Sequence, residues 1–239
     1  MLVADAVPNT RRDCTTCIVR HPGCFCHLPA DALRELQSIG RSITLQKSEQ
    51  LLHEGDAPDT VHLVCAGHIK LYTTSSEGRV LLLRLASPGD IIGLSSALRG
   101  SLQKLTAEAL DACALKSIPR PQFLQFTERF RDVSRNAALS TAQEYETALL
   151  SARRLALSNT AAAKLAGLLV ELAHLNRSKH LASVEIPMPL THEELGSMCG
   201  LSRETVTRVL ARFRVDGILD QSRGHLILHK LDALEELAA

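Results

Sequence analysis

The chain has 239 residues, 45% hydrophobic and 22% charged, the composition of a folded globular protein rather than a disordered, collagen-like or bilayer-spanning one. Its 27 basic and 26 acidic side chains leave a net charge of +1, so any attraction to nucleic acid or membrane has to be local. There is no Trp and aromatics make up 3%, which leaves little to build stacking platforms for single strands or flipped bases.

No apolar run approaches the roughly 18 residues of a spanning helix, and residues 1 to 12 carry no apolar core behind a basic end. These features predict a cytoplasmic protein with no membrane partner. Of the seven cysteines, four crowd between Cys14 and Cys26, which in a reducing compartment suggests metal or redox chemistry before structural disulfides. Cys14 and Cys17 have the C-x2-C spacing that turns two thiolates toward one metal, and Cys24 and Cys26 follow within a short loop. Soft sulfur ligands suit zinc or an iron-sulfur cluster; a thiol-disulfide switch and inert thiols are the competing readings. His21 and His27 flank the group and read as solvated.

Residues 41 to 118 alternate short apolar runs, such as 60 to 64, 68 to 73 and 80 to 85, with turn glycines. That pattern predicts an antiparallel sandwich or barrel, with Gly55-Asp56 and Gly89-Asp90 as matching corners. Cys65 on one of these strands, and Cys199 further on, read as small buried apolar residues. His53, His62 and His68 lack the His-x-His pair plus carboxylate of a cupin-type metal enzyme, and no catalytic constellation is expected.

After Pro121 helix formers dominate, and Ala138, Ala142, Tyr145, Leu149, Ala152 and Ala156 recur at alternating spacings of four and three. The spacing is a heptad seam on one long helix, which fits either a helix packed on its own domain or two such helices in close approach. A second helix is predicted over about 159 to 174, then a loop or hairpin over 176 to 189.

Thr191 with Glu194 three residues later is a capping-box signature, and Leu195 and Met198 give the helix an inward face. Gly200 suits a tight left-handed turn, and Ser202 caps a second helix whose apolar stripe is Val206, Val209, Leu210 and Phe213. The pair predicts a helix-turn-helix. Arg203, Glu204, Thr207 and Arg208 face away from that stripe: Arg can bond two acceptors on a guanine edge and Glu can accept from a cytosine amino group. Arg212 and Arg214 add to this local basic patch, and residues 217 to 228 read as a two-stranded wing with Arg223 near its tip.

Ser202-Arg203-Glu204-Thr205-Val206 with Arg208, the upstream Leu190-Thr191 with Glu193, Glu194 and Leu195, and the order of glycine-rich sandwich, long helix and C-terminal winged helix resemble the CRP/FNR superfamily of bacterial transcription regulators. The resemblance spans roughly residues 28 to 237. It implies an α+β chain: a cysteine-rich extension (1–27), a jelly-roll double-stranded β-helix of the cyclic-nucleotide-binding type (28–127), a dimerisation helix (128–158) and a winged helix-turn-helix (159–239). It further implies a homodimer on a palindromic duplex, with RNA polymerase as a partner and no enzymatic activity. Arg203, Glu204 and Arg208 would read bases, with Thr191, Ser202, Thr205 and Thr207 beside them, on TGTGA-like half-sites. The carboxylate and Arg-Ser pair of the cyclic-nucleotide members are replaced here by Leu94-Ser95-Ser96 and Lys104-Leu105, which argues against cyclic AMP. The oxygen-sensing branch holds a 4Fe-4S cluster with three N-terminal cysteines and one from the sandwich; the matching set here is Cys14, Cys17, Cys26 and Cys113, with Cys24 competing. Cys113 falls three residues before the aligned position, Lys116, and on a strand such a shift changes the face.

Overall fold

The computed structural model describes residues 13–175, 184–187, 190–222 and 225–238. It divides into two compact units, Met1–Ser75 with Leu83–Thr147 and Ser76–Leu82 with Ala148–Ala239.

The first unit opens on a single 3-10 turn, Cys14–Thr16, and a helix α1, Ala30–Ile39. Strands β1 (Arg41–Leu45), β8 (Cys113–Pro119), β3 (Thr60–Ala66) and β6 (Ile91–Ile92) form one sheet in that order. Strands β2 (Gln50–Leu52), β7 (Thr106–Ala109), β4 (Ile69–Thr74) and β5 (Val80–Ala86) form the other. This is the expected jelly-roll sandwich. Because alternate residues point to opposite faces of a strand, the four-stranded sheet that holds β3 and β8 serves two cores. Val64, Cys113 and Leu115 point into the sandwich with residues of both sheets, such as Leu45, Ile69 and Leu71. Val61, Leu63 and Ile118 point the other way, onto Leu33 and Leu36 of α1, Phe25, and Phe123 of helix α3 (Arg120–Arg129). A short helix α2, Leu94–Arg99, follows β6.

After Phe130, whose extended backbone ends α3, helix α4 runs unbroken from Arg131 to Leu157. Val133 and Ala137 near its start are buried, whereas Ala138, Ala142, Tyr145, Leu149, Ala152 and Ala156 are all exposed. The heptad seam is therefore left exposed rather than buried.

In the second unit follow α5 (Ala161–Leu175), β9 (Val184–Pro187), α6 (His192–Cys199), α7 (Arg203–Val215), β10 (Leu219–Ser222), β11 (His225–Leu228) and α8 (Leu231–Ala238). The wing has three strands, ordered β10-β11-β9, rather than two. The extra strand comes from the stretch expected to be a loop or hairpin, where Ile186 is buried and pairs with Leu226.

Candidate nucleic-acid interface and cysteine site

Helix α6 begins with the full capping box: the Thr191 hydroxyl accepts from the Glu194 amide at 3.2 Å, and the Glu194 carboxylate accepts from the Thr191 amide at 2.9 Å. It ends at Gly200, whose φ of 64° is open to glycine at little cost. The turn is tight because a β-carbon on Gly196 would stand 2.5 Å from the Leu201 carbonyl oxygen. Ser202 then caps α7, accepting from the Thr205 amide at 3.3 Å.

Val206, Val209, Leu210 and Phe213 of α7 are buried, and Arg203, Glu204, Thr207 and Arg208 are exposed. The residues expected to read bases thus share the solvent side of the first two turns. Hydrogen bonds from its own amide and from Ser202 hold the Glu204 carboxyl below the usual carboxylate range, so it stays an acceptor. Two features lay beyond the sequence pattern. His192 Nδ1 pairs with the Thr207 hydroxyl at 2.8 Å, so Thr207 is already engaged. Arg154, 4% exposed near the end of α4, pairs with Glu171 of α5 and donates to the Met198 carbonyl of α6 at 3.3 Å. Burial raises the Glu171 carboxyl, and Arg154 opposes that rise. Arg223 lies outside the described residues.

The cysteine loop is packed onto the first unit at several points. Asn136 of α4 donates to the carbonyls of Phe25 at 2.9 Å and His27 at 3.1 Å. The Phe25 amide donates to Gly89, and Cys24 lies so close that a β-carbon on Gly89 would meet the Cys24 Cβ at 2.6 Å. Gly89 in turn donates to the Val64 carbonyl of β3. Cys24 and Cys26 are both buried, with their sulfurs 3.7 Å apart in a hydrogen bond. That bond lowers the Cys24 thiol to about 6 and raises Cys26. Cys14 is buried and its thiol is raised by desolvation.

The surroundings of these thiols identify their neighbours on the sheet. The Cys65 thiol donates to the Leu63 carbonyl at 3.7 Å; burial pushes it up to about 11, with Cys14 raising it further and Lys116 opposing. Lys116 is 3% exposed, its stem running past Gly40. Among the described residues, no three His, Cys, Asp or Glu side chains already converge as a metal site.

Comparison with known proteins then places the chain. The Crp-like helix-turn-helix domain matches residues 163–237 and the cyclic nucleotide-binding domain residues 42–130. The chain belongs to the CRP/FNR family. It is 26% identical over 227 residues to nitrogen fixation regulation protein FixK of Bradyrhizobium diazoefficiens, covering 95% of this chain and 94% of that one. To transcriptional activator protein FnrL of Cereibacter sphaeroides it is 27% identical over 241 residues, 97% of this chain and 94% of FnrL. The structure of FixK2 from Bradyrhizobium japonicum superposes with a TM-score of 0.75 at 25% identity, over 84% of this chain and 98% of FixK2. The protein is accordingly a DNA-binding transcription regulator, not an enzyme.

Within this CRP/FNR sandwich the positions that differ from the cyclic-nucleotide pattern are committed elsewhere. Ser95 donates to Glu144 at 2.5 Å, Ser96 to the Leu102 carbonyl at 3.3 Å, and Leu105 packs into the core. The expected cysteines do not all meet. Cys113 is 0% exposed inside the sandwich, its sulfur directed at the carbonyls of His68 and Asp111, each at 3.3 Å. Cys14, Cys24 and Cys26 belong to the core on the other face of that sheet. Cys199 is a buried thiol, as expected, directed at the Lys164 carbonyl. Cys65 is not fully buried as expected: it is intermediate in exposure, at the register shift between Val64 and Ala66.

Proposed function

We propose that this regulator is a homodimer joined along α4, reading a palindromic duplex with TGTGA-like half-sites and controlled by oxygen, nitric oxide or redox state at its N-terminal cysteines. The observation that carries the DNA reading is the exposed face of Arg203, Glu204, Thr207 and Arg208 on the first two turns of α7, opposite a buried stripe. Arg203 and Arg208 would donate to guanine edges and Glu204 would accept from a cytosine amino group. Thr191, Ser202 and Thr205 stand at the amide-rich starts of α6 and α7, where a phosphate is favoured. The six exposed seam positions of α4 support the dimer, whose two-fold axis would place the two recognition helices about one DNA turn apart. RNA polymerase would be the partner at a promoter in the cytoplasm.

For the signal, the donor chemistry supports a 4Fe-4S cluster: four soft thiols lie between Cys14 and Cys26, and Cys14, Cys24 and Cys26 share one buried core. Cys14, Cys17 and Cys26 would hold it, with Cys24 beside them. When bound, such a cluster supplies a centre that oxygen or nitric oxide can dismantle. Asn136 would carry the consequence, since it ties the carbonyls on either side of Cys26 to α4. A thiol switch is the second reading, favoured by the hydrogen-bonded Cys24 and Cys26 pair; structural zinc would use the same thiols.

The test of the DNA reading is binding of Arg203→Ala and Glu204→Ala to TGTGA-type and scrambled duplexes at fixed salt. Each variant is expected to lose about 1 to 3 kcal/mol on the TGTGA-type site alone. Unchanged preference in both would overturn it.

A further inference from the structure

We infer that Cys65, on β3, is the sandwich residue that joins the N-terminal cysteines in binding a soft metal centre, in place of Cys113. The inference rests on the cysteine reading proposed above and supplies the residue that the sequence pattern misplaced. Strand parity carries it. On β8, Cys113 and Leu115 point into the sandwich, and Lys116 lies on the opposite face, the one shared with Ile118 and covered by the cysteine loop. For Cys113 to reach Cys14, the strand would have to turn over, against the register that pairs Leu45 with Cys113 and Ile43 with Leu115.

Cys65 has the opposite placement. It is two residues beyond Leu63, which faces the cysteine loop, and one beyond Val64, which faces the sandwich. The ladder jumps from Val64 paired with Leu115 to Ala66 paired with Ala114, so Cys65 is the extra residue of a β-bulge. Bulges re-aim side chains and leave one residue outside the regular pairing, which frees Cys65 from the ladder beside Lys116. The loop is anchored at this same spot: Cys24 packs on Gly89, and Gly89 donates to Val64, the residue before Cys65. Cys14, Cys24 and Cys26 share one buried core with Leu63, and the Cys65 thiol is directed at the Leu63 carbonyl at 3.7 Å. The set that would hold the metal is Cys14, Cys17, Cys26 and Cys65, three thiols from the loop and one from the strand below it.

The test uses the full chain, purified and reconstituted without oxygen with ferrous iron and sulfide, and separately with zinc. Iron, sulfide and zinc per chain and the visible absorption are read for the parent, Cys65→Ser, Cys113→Ser and the double variant Cys65→Ser with Lys116→Cys. Cys113→Ser is expected to retain the parent's metal content. Cys65→Ser should lose at least fivefold, and the double variant should regain it, since position 116 offers a thiol to the same face. The regain also shows that the loss in Cys65→Ser is not misfolding. A metal-free readout is disulfide mapping by mass spectrometry after mild oxidation with diamide, which should link Cys65 to Cys14, Cys17 or Cys26 and leave Cys113 reduced. A parent that takes iron and sulfide equally well in Cys65→Ser overturns the assignment of Cys65 and leaves the iron-sulfur reading standing. A parent that takes zinc alone, dependent on Cys65, overturns the iron-sulfur reading and upholds Cys65. A parent that takes neither overturns both.

Discussion

The helix-turn-helix and the cysteine region are both built on close approaches, but they differ in how far along the chain those approaches reach. The hydrogen bonds that cap α6 and α7 and join the two helices across the turn, Thr191 with Glu194, Ser202 with Thr205 and His192 with Thr207, span no more than 15 positions. The cysteine loop is held by Asn136, 111 positions from Phe25, and by Gly89, which packs on Cys24. A motif closed over a short span is set by its own caps and turn, so it reads directly from residue spacing. A site assembled across a sheet depends on which face of a strand each residue takes, and one bulge or one register step changes that.

Adding a single methyl group at each close approach is the strongest way to break the comparison. Alanine in place of glycine ordinarily favours a helix by about 1 kcal/mol. At Gly196 the sign should reverse, because the new β-carbon would meet the Leu201 carbonyl oxygen at 2.5 Å and backbone must shift. Gly196→Ala is expected to cost about 3 kcal/mol in denaturant unfolding of the second unit and to weaken binding to a TGTGA-type duplex at least tenfold. Parent-like stability and binding would show that the turn has more room than its geometry indicates.

Gly89→Ala is the matching change in the cysteine region. Its φ of 101° is strained for any other residue, and the added carbon would lie 2.6 Å from the Cys24 Cβ. The expected cost is about 2 kcal/mol, delivered locally: the loop should lift, so alkylation of Cys24 speeds up while that of Cys199, buried in the other unit, does not change. Equal rates at Cys24 in the two proteins would mean that Gly89 does not hold the loop.

The sandwich, the long helix and the helix-turn-helix followed from turn glycines, the heptad seam and the capping signatures, each a repeat or a spacing within one segment. Other features depended on tertiary pairing. The third wing strand forms because Ile186 finds Leu226 across the sheet, and nothing within residues 176 to 189 announces that partner. Arg154 reads as one more charge on a long helix until Glu171 and the Met198 carbonyl are brought against it. The cysteine count was plain from the sequence, and so was the warning that Cys113 stands three residues from Lys116. That Cys65 sits at a bulge of β3 needed the ladder itself.

The smallest expected effect sharpens the comparison most, because Ser202 has two roles that ordinary truncation merges. Its hydroxyl caps α7 through the Thr205 amide and helps hold the Glu204 carboxylate, at a helix start suited to a DNA phosphate. Ser202→Ala should cost about 1 kcal/mol of stability and also weaken DNA binding. Ser202→Asp restores an acceptor and a favourable charge for the helix dipole, so unfolding should return to the parent's midpoint. The same carboxylate would face phosphate with like charge, so binding should stay weak, with the deficit shrinking as salt is raised. If Ser202→Asp instead recovers stability and binding together, Ser202 acts on DNA only by holding the helix, and the phosphate contact belongs to its neighbours.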